Sequence, residues 1–142
     1  MGKIKKNPLS EASGRIHKQR SLPEDNLKFS FKYLNFDRKF HIKDVTDGYL
    51  KVLLDHLKSL SSITVQVFRT NKHKALRAHT IDWQDTSEIQ GFACLNEQLR
   101  QCEPWQFELC VNEHGRVHGI LLDEIFYVVW LDPDHQLYPS KK

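Results

Sequence analysis

The chain has little glycine (6 of 142 residues), a single methionine and only three cysteines, and it holds no long apolar run. Each shortage removes a class of protein. Cys94, Cys102 and Cys110 form no CxxC pair and make an odd count, which excludes a disulfide scaffold and predicts packed, reduced thiols in a cytoplasmic protein. Eight histidines are many for this length, but there is no HExxH. Cys110, His114 and His118 are four apart, but that spacing straddles a turn instead of lining one helix face, so no metal site is predicted. Glycine-rich phosphate loops and GxSxG elbows are also lacking, and no cofactor is expected. The longest apolar stretch, near Ile125–Leu131, falls far short of a membrane span, and nothing at the N-terminus resembles a secretory signal.

What the chain does contain is enough for one soluble domain with a core: 39% hydrophobic and 27% charged residues. The net charge of +3 is unevenly spread. Lys3, Lys5, Lys6, Arg15, Lys18 and Arg20 face only Glu11 in a stretch without hydrophobic periodicity. Residues 1–26 are therefore expected as a disordered basic tail, and residues 27–142 as a single α+β domain. A second basic cluster carries Arg69, Lys72, Lys74 and Arg77, of which Lys72, Lys74 and Arg77 are candidates for nucleic-acid contact.

Periodicity gives the elements. Leu27–Leu34 alternates as a strand with Phe29, Phe31 and Tyr33 on one side. Asp44 or Thr46 is placed to cap a helix ending near Leu60, with Tyr49, Leu50, Leu53, Leu54, Leu57 and Leu60 as its apolar stripe. Ile63–Phe68 favours a strand by β-branching, and Thr86-Ser87 precede an expected helix over Glu88–Gln101. Between them, Arg69–Thr80 reads only as loop or irregular helix. From Pro104 to Pro139 three antiparallel strands follow. The expected fold is α+β, a C-terminal antiparallel sheet of three to four strands packed on two helices behind a flexible N-terminal tail.

The register of that sheet decides which side chains share a face. A bulge at Gly115 would set Asn112 opposite Arg116, Cys110 opposite His118 and Glu108 opposite Ile120. Trp105, Phe107, Leu109, Val117, Leu121, Phe126, Val128 and Trp130 would then form an apolar face. Gln106, Glu108, Arg116, His118, Ile120, Tyr127 and Val129 would form the other.

That second face can carry acid–base chemistry. RNA cleavage needs a base for the 2′-hydroxyl, an acid for the leaving oxygen and a cation for the crowded phosphate. Arg116 suits the phosphate, while His118, Glu108, His135 and Tyr138 are candidate proton carriers and Tyr127 a base-stacking group. Two other readings use the same residues. Asp132 and Pro133 could simply form a rigid turn with Tyr138 packed over the sheet's end. Ile120, Leu122, Ile125, Val129 and Leu131 could form an apolar patch for a protein partner or a homodimer.

The order of elements, with Arg116 in GRVHGIL, Tyr138 or His135 in DPDHQLY and Glu108 in QFELCV, resembles the RelE/ParE-like toxins of bacterial toxin–antitoxin systems. The resemblance is one of layout over roughly residues 27–138, and the chain departs from it in its length, its basic tail and the segment Ile63–Asp85. It implies a metal-independent endoribonuclease that cleaves mRNA. It also implies RNA as substrate and an antitoxin-like protein as partner. The alternatives are a non-catalytic protein-interaction module that uses the sheet face, or RNA binding without cleavage.

Overall fold

The computed structural model describes residues 25–36, 39–43, 45, 47–70, 77–109 and 114–139. Residues 1–24 of the expected tail, Asp44, Thr46, Lys72, Lys74, Cys110 and Asn112 lie outside the described residues. The strands are β1 (Lys28–Ser30), β2 (Ala78–Thr80), β3 (Glu103–Glu108), β4 (Arg116–Leu122) and β5 (Ile125–Asp132). The α-helices are α1 (Tyr49–Leu60), α2 (Val65–Thr70) and α3 (Glu97–Arg100). The fold is thus α+β, but the sheet has five strands, in the order β1-β5-β4-β3-β2, not three to four. Only β1 runs parallel to its neighbour, β5; the other pairs are antiparallel.

Helix α1 forms where its apolar spacing predicts, but its buried stripe is narrower. Tyr49, Leu53, Leu57 and Leu60 are buried, whereas Leu50 and Leu54 are 60% and 54% exposed. α2 replaces the expected strand over Ile63–Phe68 because a cap outweighs β-branching. Thr64 Oγ1 accepts the Val67 amide at 3.1 Å, and the Val65 amide bonds the Asp25 carbonyl. Phe68 is thereby turned fully into the core. The long helix expected over Glu88–Gln101 is reduced to α3, capped by Asn96. Gly91, at φ +75°, breaks the earlier part in a conformation other residues avoid. Leu27–Leu34 is likewise extended only over β1. Phe29 packs on Phe107 and Phe126, Tyr33 on Tyr127, and Phe31 is exposed.

The sheet's register differs from the expected one by four residues. Glu108 pairs with Arg116 and Gln106 with His118, because the chain from 109 to 115 makes a longer connection than a bulged hairpin. Gly115 does adopt the left-handed conformation (φ +76°), with its carbonyl bonded to the Leu109 amide. An even shift leaves each side chain on its face. The bulge lies instead between β4 and β5: His118 pairs with Trp130, but Gly119 pairs with Val128. A Cβ on Gly119 would stand 2.1 Å from the Tyr127 carbonyl oxygen, so the close approach requires glycine. The extra residue turns Trp130 from the expected Trp105 face to that of His118, and Leu131 to the opposite one.

Both faces are consequently buried. The first carries α1 and α2 over Trp105, Phe107, Val117, Phe126 and Val128. The second gathers Phe40, Ile81, Phe92, Ile120, Val129, Trp130 and Leu137 under mainly irregular chain. This overturns the expected open patch: Ile120 and Val129 are fully buried in the second core, and Leu131 belongs to the first.

Candidate functional site

Cross-strand pairing puts two polar rows on the second face, at the end where β4 begins. Arg77, next to β2, lies beside Glu108; Glu108 pairs with Arg116, and Arg116 with Asp132. One step along, His79 pairs with Gln106, Gln106 with His118, and His118 with Trp130. The last turns of the chain fold back over these rows and bring Tyr138 to them.

The outer row is a cationic site around one carboxylate. Arg77 Nη1 and Arg116 Nη2 lie 3.9 and 3.8 Å from Glu108 Oε2, too long for strong hydrogen bonds. Arg116 is mostly buried, its Nε has no hydrogen-bond partner among the described residues, and its guanidinium lies 5.9 Å from the Tyr138 ring centroid. Tyr138 is held at both ends. Its hydroxyl oxygen accepts the Asp82 amide at 3.1 Å, and its ring meets that of His79 at 6.2 Å. Burial, with the charges of Asp82 and Asp85, raises the Tyr138 pKa, so the phenol keeps its proton at neutral pH.

His79 is exposed, and its two ring nitrogens have different partners. Nδ1 is 2.8 Å from the Thr80 carbonyl, which fixes the proton there, and Nε2 receives the Gln106 amide at 2.9 Å. Behind it, His118 is completely buried and donates from Nε2 to Asp132 Oδ2 at 2.9 Å. The Asp132 carboxylate also accepts the amides of Gln136 (2.7 Å) and Leu137 (3.0 Å). Burial pushes the His118 pKa below its ordinary value despite the opposing pull of Asp132, leaving a neutral imidazole. Burial alone would raise the Asp132 pKa, but the donors from His118, Gln136 and Leu137 outweigh it and hold the carboxyl below the usual range.

The structure therefore brings together Arg116, Glu108, Tyr138 and Arg77. His118 lies one row further along the same face, without solvent contact. His135 occupies a turn at φ 56° and, among the described residues, no hydrogen bond, ion pair or ring contact joins it to Arg116, Glu108 or Tyr138. Tyr127 packs at a tilt against Tyr33 further along β5, opposite Ile120. Sequence reasoning missed His79, because the three-residue strand that carries it is too short for alternation to register. Among the described residues no three His, Cys, Asp or Glu side chains are grouped to hold a metal ion, and no helix is long and apolar enough to cross a membrane.

Chemically, the outer row offers two guanidinium groups for an oxyanion, a carboxylate between them, and a protonated phenol and an imidazole at the rim. That set can bind a phosphodiester and move protons on either side of it. No known family model, curated protein or solved structure matches the chain.

Proposed function

We propose that the protein is a metal-independent endoribonuclease of the RelE/ParE-like toxin kind, acting on RNA at the Arg77, His79, Glu108, Arg116 and Tyr138 cluster. The observation that carries this reading is the state of Arg116. Its cross-strand acid, Asp132, is engaged elsewhere, and among the described residues its only ion pair, at 3.8 Å, is with a carboxylate shared with Arg77. A largely desolvated guanidinium whose one carboxylate among the described residues is shared and held at 3.8 Å is a preformed site for the charge that builds on a phosphorane.

In this reading Arg116 and Arg77 hold the scissile phosphate. Glu108 takes the 2′-hydroxyl proton, the oxygen attacks phosphorus, and the 5′-oxygen leaves with a proton from Tyr138. The products are a cyclic phosphate and a free 5′-hydroxyl. His118 does not touch substrate; it supports the site from the next row of the same face. An antitoxin-like partner belongs to the same reading, and Leu50 and Leu54, adjacent on the open face of α1, give it an apolar landing.

The test is inducible expression with mapping of RNA ends, repeated with purified protein and synthetic RNA in chelator. Cleavage by the natural chain and its loss in Arg116→Ala is the expected outcome. Growth arrest or RNA binding without new RNA ends would overturn the nuclease and leave RNA binding alone, the alternative that the same cations favour.

A further inference from the structure

We propose that Asp132 is a positioning residue: held by His118, its buried carboxylate ties down the end of the chain so that Tyr138 stands over Arg116, and it is itself withheld from Arg116. This deepens the function proposed above and rests on it for the catalytic part of its test, but the geometry concerns the protein alone.

The restraint begins at the carboxylate. Asp132 is wholly buried, yet its two oxygens accept three hydrogen bonds, from His118 Nε2, Gln136 N and Leu137 N. Those two amides belong to the residues just before Tyr138. Leu137 is pulled fully into the second core, and its carbonyl and that of Gln136 receive the Ser87 amide and hydroxyl. Tyr138 is left only one bond from a fixed backbone, with the Asp82 amide as the stop for its hydroxyl. The turn is pressed closely onto the sheet, since a Cβ on Gly115 would meet the Asp132 carbonyl oxygen at 2.0 Å.

The second effect is electrostatic. Arg116 and Asp132 are direct cross-strand partners, where opposite charges ordinarily pair. Among the described residues no hydrogen bond or ion pair joins them, because the His118 imidazole and the two amides draw the carboxylate inward. The tie that seats the tyrosine therefore also leaves the arginine unquenched.

The experiment uses Asp132→Ala, Asp132→Asn, Tyr138→Phe and the Asp132→Ala/Tyr138→Phe double variant, in the full chain. Nuclear Overhauser contacts from the Tyr138 ring to Arg116 and His79 report the position of the ring. They are expected to vanish in Asp132→Ala while the amide signals of α1 and β1 keep their places. If that variant does not fold, Asp132→Asn serves, since its amide oxygen can keep one of the two backbone bonds; it is expected to weaken the contacts by half or more. Contacts of natural strength in either variant overturn the proposal. In the RNA assay, Asp132→Ala is expected to lower kcat by about tenfold or more, with KM little changed. Adding Tyr138→Phe should then cost nothing further, whereas multiplicative losses would show that Asp132 does not act through Tyr138. Absence of cleavage by the natural chain sinks the nuclease reading, but the ring contacts still decide the positioning role.

Discussion

The two faces of the sheet are buried by different means. On the first, an amphipathic helix lays Leu53, Leu57 and Leu60 over Phe107, Phe126 and Val128 in a hydrocarbon core. On the second, irregular chain and a folded-back end enclose Phe40, Trp130 and Leu137 together with Gln106, His118 and Asp132. Regular structure covers the face that has only to hold, while the face with buried hydrogen bonds is the one beside the candidate site. Apolar contact tolerates many geometries, but a buried carboxylate with three donors tolerates few. The less regular covering is thus the more exacting one.

The bulge that divides the faces is the place to break this arrangement most severely. Gly119→Ala drives a Cβ into the Tyr127 carbonyl and is expected to cost about 3 kcal/mol or more in chemical denaturation, by strain at a site that cannot relax. Phe107→Ala, confined to the first face, should cost about 3–5 kcal/mol but leave the Tyr138 to Arg116 contact intact in the fraction that remains folded. Failure of that separation would mean that the faces are not independent.

Arg116→Ala sharpens the contrast from the other side. RNA cleavage should fall by about 100-fold or more, with unfolding free energy within about 1 kcal/mol of the natural chain. A large loss of stability with partial activity would make Arg116 structural.

Acid tests the polar face specifically. The His118 pKa is lowered in the folded state, so the unfolded chain binds a proton first as pH falls below about 6.5. Asp132, also lowered, binds its proton more readily when unfolded, so stability falls further below about pH 4. Both act in the same direction: stability is present at neutral pH and lost on acidification. Replacing the imidazole with an uncharged amide, His118→Gln, should flatten the loss between about pH 6.5 and 4, measured by thermal unfolding across pH.

The smallest effect is expected on the open face of α1. Leu54→Ser should change stability by less than about 0.5 kcal/mol, because that side chain is already more than half exposed. A larger loss in thermal unfolding would mean that the first core reaches further round the helix.

How much of this was legible follows the same division. Helix α1 could be read because one periodicity governed its whole length. The two faces of β3 and β4 were readable for the same reason, and an error of four residues in register did not disturb them. Trp130 could not be placed, since the bulge depends on how Gly119 meets the Tyr127 backbone, a contact without a local pattern. Asp132 was recognisable as a turn-former before Pro133, and it does hold the amides of Gln136 and Leu137. Its bond to His118 depends on pairing between two strands and left no mark in either segment. The helix expected over Glu88–Gln101 failed because Gly91 and Asn96 each impose a local conformation that its apolar stripe cannot override.

One further consequence comes from β1, which lies parallel to β5 at the far edge of the sheet, with the Lys28 amide bonded to the Glu124 carbonyl. The earliest strand thus waits for the latest. During synthesis, Leu27 and Phe29 have no partner strand until β5 has left the ribosome, so closure of the first core is a late, non-local event. Tyr138 emerges later still. A nascent chain would therefore carry Arg77 and Arg116 well before it could assemble the cluster, so any activity at this site waits for Tyr138 to emerge.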